Sequence, residues 1–202
     1  MSKYRLRFEK TGRAVYISHL DLMHTMQRAF SRSGCRLDYS EGFNPHPVIS
    51  IALPLSVGCA SLCEIMDFSG DKPDMERLNN SLPEGIKVLE IYESSRKVKE
   101  LSYLEIEGEF FYDDGDVPDF EEFFSKEEIV VRKKTKRGES DTDIKPMIKS
   151  ISFDGLKFKA VICAQNPTLN PEYLAKALGD KAPDYYRFTR IQTLDEDMKV
   201  FR

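Results

Sequence analysis

The sequence predicts an α+β fold made of two ferredoxin-like (βαββαβ) units in tandem. Strand-type alternation and helix-type spacing of apolar residues are interspersed along the chain, which is typical of this class. The order of elements in residues 1–95 recurs in residues 96–202 without sequence identity between the halves. A chain of 202 residues is also long enough for two domains of about 100 residues each. We therefore predict one unit over residues 1–95 and a second over residues 96–202.

In the first unit, alternating residues 3–10 predict a half-buried strand. A helix follows, because Ser18 and Asp21 have capping-box spacing and Gly34 suits the position after a helix end. Alternation and turn residues predict the remaining elements: a short strand near residues 36–39, a hairpin of strands over 48–55 and 61–70, a helix over 74–82 and a strand over 85–94.

In the second unit, Asn170 as N-cap and Gly179 as terminator frame the last helix. A possible hairpin turn lies at Asp154 and Gly155. The other predicted elements are strands over 101–113 and 128–136, a helix over 118–128, a strand within 150–164 and a closing strand over 185–194.

Composition excludes several classes of protein. The chain has 41% hydrophobic and 32% charged residues with a formal net charge of −4, so nucleic-acid binding would need a local basic patch. No window approaches 18 apolar residues, and the N-terminus lacks a signal-peptide pattern. Four cysteines are too few for a disulfide framework of this length. We expect a cytoplasmic protein with no membrane contact.

The cysteines do not predict a metal site. Cys59 and Cys63 have the opening spacing of the C-x3-C-x2-C cluster motif of radical S-adenosylmethionine enzymes, but the third position holds Met66. Such a cluster needs three cysteine thiolates. We expect Cys59 and Cys63 to pack as small apolar residues, and we expect neither a metal nor another cofactor.

The histidines offer the one candidate catalytic pair. His19 opens the first predicted helix and His46 lies in an unusual loop. If the two rings met, they could serve as general acid and base for RNA cleavage. The alternative, which we favour, is that His19 caps or packs and that His46 orients its own loop, because no nucleophile or orienting group is evident.

The loop of residues 38–50 places Phe43, Asn44 and His46 around two prolines. Pro45 and Pro47 fix their own φ and favour extended geometry in the residues before them. Such a stiff loop suits a recognition surface. The alternative is a rigid crossover in which Phe43 fills the core.

A basic run follows in the second unit, directly before three acidic residues, Glu139, Asp141 and Asp143. The run either contacts phosphate or forms a solvated turn whose two signs balance. Arg28 on the first helix would extend a cationic surface. The run consists of Arg132, Lys133, Lys134, Lys136 and Arg137.

Three blocks of sequence carry a resemblance. Residues 4–34, 39–58 and 130–148 resemble, in order, the family of radical-SAM-linked conserved proteins of unknown function. Within these blocks the resemblance marks positions without assigning them chemistry: Ser18, His19, Leu20, Asp21, residues 39–47, Lys133, Lys134, Gly138, Asp143 and Pro146.

The resemblance implies a partner. Members of that family occur alone or behind a cobalamin-binding radical S-adenosylmethionine enzyme, so we expect a radical SAM enzyme to act in trans with this chain. The leading hypothesis is a non-catalytic binding module that holds RNA or docks that enzyme. Its contact surface would use Ser18, His19, Asp21, Arg28 and the loop residues Glu41, Phe43, Asn44 and His46, together with the basic run. The alternatives are a metal-independent ribonuclease or RNA-modifying enzyme using His19 and His46, and a protein-binding scaffold.

Overall fold

A computed structural model describes residues 3–113, 116–135 and 138–202. It shows a mixed α+β protein with mostly antiparallel sheet structure and few helices. The chain divides into two compact units, one that ends at Val98 and also includes Arg202, and one over Lys99–Phe201. No helix in the described part of the chain is both long and apolar enough to cross a membrane.

The described residues of the first unit form four strands and two α-helices. The elements are β1 (Lys3–Lys10), α1 (His19–Arg32), β2 (Ile49–Ile51), β3 (Ala60–Ser69), α2 (Met75–Asn80) and β4 (Ile86–Glu93). Their strand order is β4-β1-β3-β2, and every pairing within it is antiparallel. Because β1 has a partner on each side, Leu6 lies opposite both Met66 on β3 and Ile91 on β4.

Helix α1 covers one face of this sheet. Its buried residues Leu22, Met26, Ala29 and Phe30 recur at helical spacing, and the Phe30 ring lies 4.8 Å from the ring of Phe68 on β3. Successive side chains of a strand point to opposite faces. The face away from α1 therefore takes the side chains between the core residues of β1, and these are charged: Arg5 and Arg7.

The ends of α1 agree with the sequence prediction. The Ser18 Oγ accepts a hydrogen bond from the backbone N–H of Asp21 and donates one to the Asp21 carboxylate. At the other end Gly34 has φ of 78°, the left-handed conformation that lets a chain leave a helix sharply.

Six strands lie in the part of the second unit that the structure describes. The elements are β5 (Tyr103–Phe111), α3 (Phe120–Ser125), β6 (Val130–Thr135), β7 (Gly138–Asp143), β8 (Ile148–Asp154), β9 (Lys157–Cys163), α4 (Glu172–Lys176) and β10 (Tyr185–Leu194). Four of the strands form the order β10-β5-β9-β8, again antiparallel, and β6 and β7 pair with each other. The core includes a group of phenylalanine rings, among them Phe110, 4.8 Å from Phe158.

One sequence prediction needs correction. The predicted strand near residues 36–39 is only two isolated bridges, Leu37 with Gly70 and Tyr39 with Pro47. The strand predicted over 128–136 is confirmed as β6, and among the described strands it pairs only with β7. The hairpin at Asp154 and Gly155 is confirmed, since β8 and β9 pair on either side of it.

Candidate functional site

A closed loop lies in the segment that connects α1 to β2. We call residues 40–47 the signature loop. The Ser40 N–H donates to the His46 carbonyl at 2.9 Å, and the His46 N–H donates to Ser40 Oγ at 3.1 Å. Just outside them, Tyr39 bridges Pro47. These reciprocal contacts close the loop at its neck, and with the two prolines they hold it in one conformation.

The neck of the loop is fastened to the end of β3. The Asp38 N–H donates to the Ser69 carbonyl at 2.8 Å, the Ser69 N–H donates to the Val48 carbonyl at 3.0 Å, and Ser69 Oγ donates to the Asp38 carboxylate. The next residue, Gly70, has φ of 147°, and a Cβ there would fall on the Arg36 carbonyl oxygen. Only glycine allows the chain before the loop to lie this close to β3.

At the tip of the loop, the Phe43 side chain is fully exposed. The interpretation that Phe43 fills the core is therefore wrong. Glu41 and Asn44 are exposed as well, and Gly42, with φ of 120°, makes the turn between them. The loop thus presents an aromatic ring, an amide and a carboxylate to its surroundings.

The His46 ring is held by its own loop. Its Nδ1 lies 3.0 Å from the Asn44 carbonyl oxygen and 3.3 Å from Ser40 Oγ. A carbonyl oxygen can only accept, so the contact with Asn44 assigns the proton to Nδ1. In the neutral ring Nε2 is then a hydrogen-bond acceptor.

A cleft of about 560 Å³ lies beside the signature loop. Its wall on the loop side includes Ser40, His46 and Val48, and its opposite wall is the segment 94–97 after β4. The β1 and β3 residues that contribute to it include Arg5 and Asp67. The cationic residues that line it are Lys3, Arg5, Arg96 and Lys97, against one acid, Asp67.

Arg5 and Asp67 form an ion pair at the base of this cleft. The Arg5 Nε and Nη2 donate to the two Asp67 carboxylate oxygens at 2.6 and 2.9 Å, and Nη2 also donates to the Arg96 carbonyl at 2.9 Å. Burial disfavours the charged guanidinium, but the hydrogen bond and attraction from Asp67 raise the pKa of Arg5 above its usual value. The pair therefore holds the segment 94–97 against β1.

The groove beside the loop is lined by the later turns of α1 and not by its first turn. Ser18, His19 and Asp21 form the first turn of the helix, whereas the neck of the signature loop shares a surface groove with Gln27, Arg28 and Ser31. Those residues lie two to three turns farther along α1, where each turn rises about 5.4 Å. No hydrogen bond among the described residues joins His19 to His46. Of the predicted helix residues, Arg28 lines this groove together with Tyr39 and Pro47.

The basic run is partly engaged within its own unit. Arg132 Nε lies 3.0 Å from the Glu139 carboxylate across the β6–β7 hairpin. Lys133 Nζ lies 3.5 Å from the Thr168 carbonyl oxygen and 5.1 Å from the centre of the Tyr173 ring, and burial lowers the pKa of Lys133. Lys134 is part of β6, and Lys136 and Arg137 lie outside the described residues.

Sequence reasoning missed the cleft because its residues come from distant segments. Lys3 and Arg5 belong to β1, Asp67 to β3, and Arg96 and Lys97 to the predicted linker. One signal was available: Arg5 alternates with the core residues of β1, which places it on the other face of a sheet. Cys63 is fully buried, which confirms its predicted packing, whereas Cys59 is only partly buried and lies just before β3. The described residues contain no group of three His, Cys, Asp or Glu side chains arranged to hold a metal ion.

The fold and this site define a small α+β protein in which an exposed loop lies beside a cationic cleft. The chain belongs to a family of uncharacterized proteins conserved in bacteria, DUF2344, whose model matches residues 3–171. The match includes the signature loop and the β6–β7 hairpin and ends directly before α4. A search of curated proteins finds no match to this chain.

Proposed function

We propose that the protein is a non-catalytic binding module that holds single-stranded RNA. The observation that carries the proposal is the fully exposed Phe43 ring on a closed loop beside a cleft lined by Lys3, Arg96 and Lys97. Proteins that bind single strands combine aromatic side chains on which bases stack with cations that follow the backbone. Bases exposed in single-stranded RNA can stack on such a ring, whereas paired bases cannot.

We further propose that each unit is ferredoxin-like. The elements of the first unit follow the order β-α-β-β-α-β, and its strands lie in the order β4-β1-β3-β2. The second unit has the corresponding order β10-β5-β9-β8, with the β6–β7 hairpin as an insertion after α3. This correspondence supports tandem units of the split βαβ type.

The proposed partner of the module is a radical SAM enzyme acting in trans, to which it would deliver the RNA. Support comes from the sequence resemblance of residues 4–34, 39–58 and 130–148. The competing ribonuclease mechanism has less support, because the groove beside the loop is lined by Arg28 of α1 and not by His19, and acid–base catalysis needs both groups within reach of one substrate atom.

Binding of a short labelled single-stranded RNA, measured by fluorescence anisotropy, tests the proposal. We expect Phe43→Ala to weaken binding by about tenfold or more, since stacking of one base contributes about 1–3 kcal/mol. The matched control is Tyr16→Ala, which removes another exposed aromatic ring of the first unit and should leave affinity unchanged.

Two outcomes would overturn this function. One is the absence of single-stranded RNA binding at low salt. The other is equal RNA affinity in the Phe43→Ala and wild-type proteins. Recovery of a radical SAM enzyme from the native host without RNA, in a pull-down that depends on Phe43, would instead make the loop a protein-docking element.

A further inference from the structure

The cleft beside the signature loop carries a local positive charge in an acidic chain. Asp67 is its one lining acid, and the ion pair with Arg5 neutralises it. Lys3, Arg96 and Lys97 supply three further cations, whereas the whole chain has a net charge of −4. Such a local concentration of cations attracts an anionic ligand.

Hydroxyl groups and apolar side chains share the lining with these cations. Ser40, Ser50, Ser69, Ser94 and Ser95 contribute hydroxyls or backbone to the surface, and Tyr4, Pro47 and Val48 contribute apolar atoms. Ligand sites combine an apolar lining with a few polar groups and measure about 300–1,000 Å³. At about 560 Å³ the cleft is much larger than a single phosphate ion needs. A ligand that fits has an anionic group and a planar or apolar body.

His46 adds a specific hydrogen-bonding atom. The contact of Nδ1 with the Asn44 carbonyl at 3.0 Å makes Nε2 an acceptor in the neutral ring. His46 is one of the residues that line the cleft, so Nε2 is an acceptor available to a ligand that can donate a hydrogen bond. The ribose 2′-hydroxyl is such a donor, and it is the group that distinguishes RNA from DNA.

We infer that the cleft binds one phosphate-bearing ribonucleotide, with the phosphate at Lys3, Arg96 and Lys97 and the 2′-hydroxyl at His46 Nε2. This inference rests on the proposed function, because it makes the cleft the place where one nucleotide of the bound strand is recognised. The exposed Phe43 ring then stacks a neighbouring base, and the cleft supplies the preference for RNA.

Isothermal titration of the full chain with adenosine 5′-monophosphate, adenosine, 2′-deoxyadenosine 5′-monophosphate and inorganic phosphate tests the inference. We expect the ribonucleotide to bind at least about tenfold more tightly than each of the other three, because adenosine lacks the phosphate, the deoxynucleotide lacks the 2′-hydroxyl and inorganic phosphate lacks the nucleoside. The double variant Lys3→Ala, Lys97→Ala should lose this binding. Lys87→Ala is the matched control, since Lys87 is exposed on β4 opposite Glu9, at the other end of β1 from Lys3.

A second variant isolates the role of His46. An asparagine side chain places an amide N–H close to where His Nδ1 carries its proton, but it has nothing in place of Nε2. His46→Asn should therefore keep the contact with the Asn44 carbonyl and the melting temperature while losing the preference for ribose over deoxyribose. His46→Gln, which can place a polar atom near the former Nε2, should recover part of that preference.

The outcomes separate this inference from the proposed function. If the protein binds single-stranded RNA but no nucleotide, and the lysine double variant binds that RNA as well as the wild type does, the inference is overturned and the proposed function remains. If it binds the nucleotide but no RNA, the proposed function is overturned and the nucleotide site remains. Equal affinity for the ribose and deoxyribose nucleotides overturns the contact at His46, and equal affinity for inorganic phosphate overturns the recognition of a nucleotide.

Discussion

Arg5 is a charged residue inside the protein, and the free energy of burying its charge depends on its ion-pair partner, Asp67. Its side chain is 2% exposed and that of Asp67 is 40% exposed. A buried charge without a counter-charge is strongly destabilising, while the intact pair contributes little net stability over apolar residues of the same shape. The importance of Arg5 thus depends on the carboxylate beside it.

Removing that carboxylate should destabilise the first unit. We expect Asp67→Ala to lower the free energy of unfolding by about 3 kcal/mol, because the Arg5 guanidinium stays buried after it loses its counter-charge. Urea denaturation followed by circular dichroism measures the change. The control is Asp71→Ala, since its partner Arg36 is 93% exposed and the closest atoms lie 3.9 Å apart; such a surface pair contributes about 0–1 kcal/mol. Equal losses in the two variants would contradict the assignment.

Cys35 should react with alkylating agents only at high pH. Burial, with a smaller contribution from Asp71, raises the pKa of this thiol to about 11 from an ordinary 9.0, and its Sγ donates to the Asp71 carbonyl at 3.2 Å. Only the thiolate reacts. We expect the labelling rate of Cys35 by iodoacetamide, followed by peptide mass spectrometry, to be still rising at pH 10. In the urea-unfolded chain the labelling rate should reach its plateau at a lower pH. A plateau near pH 9 in the folded protein would refute the expectation.

The raised pKa of Cys35 also makes the stability of the fold depend on pH. The folded state keeps the Cys35 proton to a higher pH than the unfolded chain does. The unfolded chain therefore ionises first, and the contribution of this group to stability is complete below pH 9.0 and declines as the pH rises toward about 11.

At this scale the sequence predicted a stiff loop but not the residues around it. The prolines and Gly42 indicated a stiff loop because their backbone limits are local properties. Whether Phe43 points out or in depends on the fold, and both alternatives were open before the structure. The cleft residues Arg96 and Lys97 carried no local signal at all.

Among the elements, α1 is the one whose ends the sequence predicts best. The interactions of Ser18, Asp21 and Gly34 are made within one turn of the helix end, so residue type and spacing are sufficient to predict them. The β6–β7 hairpin is the opposite case. Residues 138–143 have no apolar alternation, and their strand form depends on pairing with β6, which a single-sequence pattern does not contain.

Loss of the cap on α1 should have a modest and measurable cost. We expect Ser18→Ala to lower the free energy of unfolding by about 1 kcal/mol, because the Asp21 N–H loses its acceptor. Ser31→Ala, an exposed position within the same helix, should cost much less. The measurement is urea denaturation of both variants in parallel. A loss for Ser18→Ala no larger than that for Ser31→Ala would show that the cap does not stabilise the helix.

For the whole molecule, the acidic net charge sets how RNA binding should respond to salt. A chain with a net charge of −4 has no general attraction to phosphate, so the cations that line the cleft, Lys3, Arg96 and Lys97, should dominate. The basic run contributes less than its sequence suggests, since Arg132 pairs with Glu139 and Lys133 packs on Tyr173.

We therefore expect a shallow salt dependence. One phosphate held at the cleft predicts a slope of about −0.7 for log Kobs against log[salt] on a single strand, and Lys97→Ala should bring that slope closer to zero. Anisotropy titrations between about 50 and 300 mM KCl measure both slopes. A slope much steeper than this, unchanged by Lys97→Ala, would place the phosphate contacts on the basic run instead.

The mixed α+β class was predictable for the whole chain, because alternation, helical spacing and turn residues agree along most of its length. The strand orders were not predictable in detail, since β1 pairs with segments about 60 and 85 residues away and local propensity does not specify such partners. The prediction of separate domains over 1–95 and 96–202 stays a prediction. The structure divides the chain into its two compact units between Val98 and Lys99.

The position of Lys3 has a practical consequence for tethering. This residue begins β1 and also lines the cleft, so an extended chain of three residues attached before it reaches only about 10 Å. A dye placed there by a short linker stays at a high effective concentration near the cleft mouth. Its emission can report occupancy of the cleft directly, and for the same reason affinity tags for binding studies belong elsewhere on the chain.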